Sequence, residues 1–248
     1  LSLLSYLKSH PFAVEAFFES SLVLTYAIPV KQLQSLIPPC LQLDTLNGQY
    51  GFIAIAVVKT KGLRPKGFPE FIGNDFILTG YRIFVTYITS EGKRLRGLYV
   101  IKSETDKVKM AILGNLMTTY NYTLKNITYK RVKEIIEVQI PNSDFDIQAD
   151  FNQEEVLLPA NSPFTTWKEA RRFAGPLPFT FTYNVKTKAV LIIEGHRENW
   201  TPKPVKIKKA NIGFFRQMEL ENVILASAFI VEDIPYCWKK GRFDTWIP

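Results

Sequence analysis

From Phe76 to Lys102 the chain alternates between two kinds of side chain around a tight turn, and this limits its fold more than any other feature. Tyr81, Ile83, Val85 and Tyr87 fall on one side of a two-residue period, Glu91-Gly92-Lys93 reverses the chain, and Leu95–Lys102 returns it. Period-two alternation marks a strand with two unlike faces, so the segment predicts a β-hairpin. Similar runs recur. Ser21–Ile28 reads as a strand, and Gln49–Lys59 as a buried strand behind an Asn47-Gly48 hairpin turn. Tyr122–Arg131, Glu134–Ile140 and Asp144–Phe151 follow, then a hairpin over Phe179–Glu194 turning at Lys186-Thr187-Lys188. Val205–Ile212 and a stretch within Phe214–Val231 complete the set.

Helical signals are fewer. Leu3, Leu4, Leu7, Val14, Phe17 and Phe18, interrupted by Pro11, predict short helical pieces at the start. Pro29 opens a short helix carrying Val30, Leu33, Leu36 and Ile37. Asp106–Asn121 places Val108, Ile112, Asn115 and Leu116 on one stripe, with Thr105 or Asp106 as cap. Ser162–Phe173 has a capping Ser162, a proline at the first helical position and basic residues at the end. Residues 60–74, rich in Gly and Pro, read as a long loop. No repeat, low-complexity block or linker divides the chain, so 1–248 is read as one domain. The tally is α+β and β-dominated, and short strands joined by turns suggest a barrel or a sandwich.

Composition excludes several classes of function. With 46% hydrophobic and 22% charged residues the chain is globular rather than disordered. The net charge of +8 is read as a basic surface, since nucleic-acid binding requires a focused patch. Cys40 and Cys237 form no CxxC pair and read as reduced, buried thiols; His10 and His196 are the only histidines and have no metal-ligand spacing. No metal and no cofactor are expected. No apolar run is long enough for a spanning helix, and Leu1–His10 lacks the basic flank of a secretory leader. The protein is therefore expected in the cytoplasm, with the N-x-T sequons at Asn121, Asn126 and Asn199 as chance matches.

No GxGxxG, P-loop, HExxH or GxSxG motif occurs. Glu194–Glu198 is the densest titratable cluster. It reads either as acid–base or anion-binding work by His196 and Arg197, or as a solvated turn after a strand. Arg171-Arg172 reads as a carboxylate clamp or as a favourable helix C-terminus. Lys206, Lys208 and Lys209, like Lys93, Arg94 and Arg96, have the pattern of solvated edge strands. Asn115, Tyr120, Asn121 and Tyr122 could line a pocket at the end of the central helix, or the rings could simply pack there.

Three stretches carry a resemblance. Leu22–Pro65 has a strand, then Pro29-x-x-x-Leu33-x-x-Leu36-Ile37-Pro38, then Leu41-x-x-Asp44 and an apolar strand. Thr79–Asn115 has a strand, Gly92-Lys93, Gly97-x-Tyr99 and a helix, and Thr165–Val205 is similar more loosely. Together they resemble an uncharacterised bacterial family of the acetoacetate decarboxylase-like superfamily. The resemblance implies a cone-shaped antiparallel β-barrel with a few peripheral helices around a largely apolar cavity.

The decarboxylase uses a Schiff-base lysine whose pKa is depressed by an adjacent lysine. Matched through the central helix, that place falls near Asn121 and Tyr122, and neither is a lysine. Lys125 has no adjacent cation, and Lys208-Lys209 and Lys239-Lys240 fall elsewhere. The resemblance therefore implies the scaffold without its nucleophile and leaves open whether the chain is an enzyme. The expected partner is a small, partly apolar keto or carboxylate molecule. Tyr120, Asn121 and Tyr122, with Asn115, supply polar contacts, and Arg82, Arg171 or His196 serve as anion partners. A keto-acid lyase with a misplaced lysine is the alternative, followed by a basic nucleic-acid binder. Related decarboxylases assemble into oligomers, which makes a homo-oligomer compatible with the reading.

Overall fold

The computed structural model describes residues 6–152, 156–174 and 177–247. Leu3 and Leu4 lie outside them; Tyr6 and Leu7 form a helical turn. The expected helical pieces do not continue to Phe18, because the chain is already strand from Val14. In β1 (Val14–Pro29) Phe17 is exposed and Phe18 buried, so the register is that of a strand flanked on both sides. Long-range pairing has overridden the local pattern. Next come α1 (Val30–Leu33), a 3-10 turn at Gln34–Leu36, and β2 (Gln42–Leu43). Asn47 and Gly48, both with positive φ, then make the tight turn bridged by Leu46 and Tyr50.

β3 (Tyr50–Pro65) runs well into the segment read as a loop, which shrinks to a short connection holding a 3-10 turn at Glu70–Ile72. β4 (Asn74–Ile88) and β5 (Arg94–Thr105) form the expected hairpin. α2 (Val108–Met117) starts later than expected and has no side-chain cap. Asp106 instead accepts the Ile77 backbone N–H at 2.7 Å, holding β4. Met110 and Gly114 are the buried positions of α2, while Val108 and Ile112 of the apolar stripe face solvent.

β6 (Tyr122–Leu124), β7 (Thr128–Val132), β8 (Ile135–Ile140) and β9 (Phe145–Asp150) follow. α3 (Trp167–Ala174) begins after Thr166, not at Ser162. Thr166 Oγ1 accepts the Glu169 N–H, and the Glu169 carboxylate accepts the Thr165 N–H and hydroxyl at 2.8 Å, a reciprocal cap. Ser162 donates to the Ala226 carbonyl instead. β10 (Phe179–Asn184) and β11 (Ala189–Arg197) form the second hairpin. Glu194–Arg197 are thus strand residues rather than the turn that their polarity suggested. The remainder is β12 (Lys203–Pro204), β13 (Lys206–Ile212), α4 (Gly213–Gln217), β14 (Ile224–Trp238) and β15 (Arg242–Thr245).

The main sheet runs β12-β14-β1-β3-β4-β5-β10-β11-β15, and β11 also pairs with β14, so the path of pairings returns on itself. The sheet is barrel-like and mostly antiparallel; the β5–β10 and β5–β6 pairings are parallel. A separate four-stranded sheet, β13-β9-β8-β7, packs on one face. Leu22, Leu24, Ile55 and Ile83 of the main sheet meet Ile136, Val138 and Ile147 of the smaller one in the largest core. Each such buried aliphatic side chain contributes roughly 1.5–3 kcal/mol. Within this core Glu104, fully buried, accepts hydrogen bonds from Ser143 Oγ at 2.7 Å and Tyr81 Oη at 3.1 Å, and pairs with Lys102 Nζ at 2.8 Å. The opposite face of the main sheet carries Ala27, Phe52, Ala54 and Phe84, covered by Phe164 and by α3.

Candidate functional site

Arg82 alternates with Tyr81 and Ile83 on β4, so its side chain leaves the core with the small sheet and projects from the opposite face. The β4–β5 register shifts between Tyr81 and Arg82, a bulge of the kind that re-aims a side chain. Tyr120 and Tyr122, reached after α2, and Tyr236 of β14 lie beside its guanidinium. β4 and β14 are separated by β1 and β3, so only a strongly curved sheet brings these groups together. Arg82, Tyr120 and Tyr122 lie deep in the protein, yet each keeps some surface that water reaches. They form a polar cluster that water reaches, not part of the solid core.

The tyrosines are held from behind. Asn115 clasps the Tyr122 backbone, donating to its carbonyl and accepting its N–H, both at 2.8 Å. Asn121 adopts a left-handed φ of 53° and donates to the Ile101 carbonyl at the bulge. The two rings lie 6.5 Å apart, and Thr180 of β10 stands beside Tyr120. Three glycines provide the space. A Cβ on Gly80 would touch the Arg82 guanidinium at 3.0 Å, one on Gly114 the Tyr122 ring at 2.5 Å, and one on Gly195 the Tyr236 hydroxyl at 2.1 Å.

A second guanidinium joins the group. Arg197 of β11 is in register with Tyr236; its Cζ stands 4.1 Å over the Trp200 ring and 5.8 Å from that of Tyr236. Arg197 Nη2 and Trp200 Nε1 are both sealed from solvent with no hydrogen-bond partner. Among the described residues Arg64, Arg96, Arg131 and Arg216 pair with carboxylates; Arg82 and Arg197 do not.

The electrostatics follow. Burial lowers the Arg82 pKa, partly offset by the phenols of Tyr236, Tyr122 and Tyr120. Burial lowers that of Arg197 as well, with Tyr236 opposing and Arg82 adding to the effect. Both remain cationic at neutral pH. Burial pushes the Tyr122 phenol up to about 12 and the Tyr120 phenol above its ordinary value, with Arg82 opposing. Both phenols therefore keep their protons and can donate them in hydrogen bonds. The cluster is rich in donors, and among the described residues neither guanidinium has a carboxylate partner, which suits an oxyanion or a carbonyl oxygen.

The structure thus brings Arg82, Tyr120 and Tyr122 together, with Asn115 and Asn121 as exposed backbone braces behind them. His196 is exposed and projects from the other face of β11, and Arg171 is exposed on α3. Arg171 borders a void of about 10 Å³ with Trp200 and Ser227, room for one water. Tyr236 and Thr180 are groups of this cluster that the sequence does not nominate; Arg197, which the sequence offers either as an anion-binding group or as part of a solvated turn, lies in strand β11. The signal was Gly195-x-Arg197, two positions on one face of a strand that continues past Glu194.

A separate surface groove of about 450 Å³ collects Arg94, Arg96, Arg172 and Phe173 with Asp44 and Glu169. Its arginines are partly neutralised, since Arg96 pairs with Asp44 at 2.6 Å. Lys102 is held by Glu104, Lys208 by Asp150 and Lys239 by Glu194, each in an ion pair. Cys40 is a buried thiol, and Cys237 is free but only half-buried. No helix of the described residues is long and apolar enough to cross a membrane.

The architecture matches solved structures of the acetoacetate decarboxylase-like class. Acetoacetate decarboxylase from Legionella pneumophila subsp. pneumophila str. Philadelphia 1 aligns with a TM-score of 0.59 and 11% identity, covering 94% of this chain and 87% of that one. An acetoacetate decarboxylase-like enzyme from Sphingomonas wittichii RW1 gives 0.57 and 11%, covering 95% and 93%. The enduracididine biosynthesis enzyme MppR, complexed with pyruvate, gives 0.56 and 8%, covering 94% and 90%. At these identities the likeness shows the fold. The chain belongs to the DUF2071 family, described as an uncharacterized conserved protein (COG2071), whose model matches residues 16–235. No curated protein matches the sequence.

Proposed function

We propose that the chain binds a small, partly apolar keto or carboxylate molecule at the polar cluster around Arg82. The observation that carries this is a deep, water-accessible guanidinium ringed by protonated phenols and without a carboxylate partner among the described residues. A carboxylate would take two parallel N–H bonds from Arg82, and Tyr120 or Tyr122 would donate to a neighbouring keto oxygen. Ala54 and Val100, in register with Arg82 on the adjacent strands, would contact the apolar part. Pyruvate in the MppR complex is a ligand of this chemistry on the same fold.

The fold shared with enzymes named as decarboxylases favours a second reading, a keto-acid lyase. An imine route needs a free lysine of depressed pKa. Lys102, the lysine nearest Arg82 on the paired strand, is engaged on the opposite face by Glu104, so binding is the better-supported reading. Any catalysis would use the phenols as proton donors, for instance to an enolate. The same reading takes the chain as one domain, since β1 pairs with β14 near the other end of the sequence, and places it in the cytoplasm, consistent with its free thiols.

Calorimetric titration with 2-oxovalerate tests the proposal. Binding should be weakened about tenfold or more in Arg82→Gln, the worth of a charged hydrogen bond. Absence of binding to the unmodified protein would refute it. Borohydride treatment with acetoacetate should leave the mass unchanged, and a covalent adduct would establish the lyase reading instead.

A further inference from the structure

We infer that the cluster takes a dianion, a small dicarboxylate or keto-dicarboxylate, with one carboxylate on Arg82 and the other on Arg197. The inference rests on the reading of Arg82 given above and adds a substrate class to it. Both guanidiniums border the Tyr236 side chain, Arg82 from β4 and Arg197 from β11. Neither is among the arginines paired with a carboxylate in the described residues.

A buried donor without an acceptor forfeits its solvation, and native proteins leave few such groups unexplained. Arg197 Nη2 and Trp200 Nε1 are two of them in a single stack, with Cζ 4.1 Å over the ring. A water molecule could satisfy one N–H but would leave the charge. Two like charges on one face of the sheet also repel, and a monoanion on Arg82 neutralises only one. A second carboxylate would supply the missing acceptor and the missing charge together. The stacking of Arg197 on Trp200 fixes the plane of its fork in advance, which favours bidentate capture of a planar carboxylate.

The test compares acids of equal length by calorimetry at fixed ionic strength: succinate against butyrate, and 2-oxoglutarate against 2-oxovalerate. The diacid should bind tighter by about tenfold to a hundredfold, the worth of one charged contact. Arg197→Gln should bring that ratio close to one, and Arg82→Gln should weaken both members of each pair. Should Arg197→Gln fail to fold, Arg197→Lys, which keeps the charge and loses the fork, should give an intermediate ratio. A ratio near one in the unmodified protein, or one that is unchanged in the Arg197 variants, overturns the inference and leaves the Arg82 reading standing. If neither acid binds, or if Arg82→Gln weakens neither, the Arg82 reading falls and this inference falls with it.

Discussion

Replacing Gly195 by alanine tests whether Tyr236 holds its place across β11 because that position has no side chain. The new Cβ would lie 2.1 Å from the Tyr236 hydroxyl oxygen, 2.9 Å from Cζ and 3.1 Å from Cε1. These distances are too short to persist, and the atoms in the way are the far end of a rotatable ring, so the ring must swing and the strands can stay. Overpacking of this kind costs about 1–3 kcal/mol. Loss of the Arg197–Tyr236 contact adds about 0.5–1 kcal/mol, the lower end of the range for a cation–π pair. For a domain of this size each kcal/mol lowers Tm by about 2–4 °C, so the combined cost of about 1.5–4 kcal/mol should lower the melting point of Gly195→Ala by about 3–16 °C. Near-UV circular dichroism should change while the far-UV signal persists. The decisive measurement is a double-mutant cycle with Tyr236→Phe. That variant removes the oxygen at 2.1 Å and leaves the ring carbon at 2.9 Å, so part of the alanine penalty should vanish, with a coupling of about 0.5–3 kcal/mol. Additive effects, or a Gly195→Ala protein with unchanged Tm and near-UV signal, would refute the argument that this glycine seats the ring.

Two further predictions concern stability. Lys102→Met leaves the fully buried Glu104 carboxylate with only Tyr81 and Ser143 as donors; breaking such a pair costs about 3–5 kcal/mol, the lower end applying because water reaches Lys102, and Tm should fall about 6–12 °C. A fall under about 2 °C would show that the lysine is not needed to hold the charge. His10 is buried with Nε2 unpartnered, and burial lowers its pKa below the ordinary 6.5. Its contribution to stability is therefore full above about pH 6.5 and is lost as pH falls, because the unfolded chain takes up the proton first. The urea midpoint should drop between about pH 7.5 and 5.5, and His10→Asn, which tolerates the positive φ of 53°, should flatten that drop; an equal drop in both proteins would contradict this assignment.

The parts of the fold legible in the sequence were those whose causes are local. Tyr81, Ile83, Val85 and Tyr87 share one buried face as their spacing predicts, and Asn47-Gly48 turns the chain with the positive φ those residues accept. The local pattern of Val14–Phe18 favours helix, but their strand is imposed by partners far away in sequence, β3 and β14. The parallel β5–β10 contact and the separate four-stranded sheet likewise have no local signature. At the candidate site, Arg82 enters the sequence reading only as one of three possible anion partners, beside Arg171 and His196, and the resemblance places the two tyrosines. Arg197 reads in the sequence either as an anion-binding group or as part of a turn, because Glu194 and His196 are polar on the other side of β11 and Glu198 follows its end. Tyr236 belongs to the site only through a curvature that brings β14 towards β4, and no spacing of residues reports that.

β1 is an interior strand whose two neighbours are made at very different times. Its pairing with β3 can form once residue 65 has left the ribosome, but its other edge, from Val14 to Ala27, waits for Ile224–Trp238. Through most of synthesis a long strand bearing Leu22, Leu24 and Phe18 therefore presents open backbone donors and acceptors to any other strand nearby. Contacts so distant in sequence also close slowly. The nascent chain should thus depend on a holding chaperone until its last strands emerge, and truncation before β14 should yield aggregates rather than a smaller folded protein.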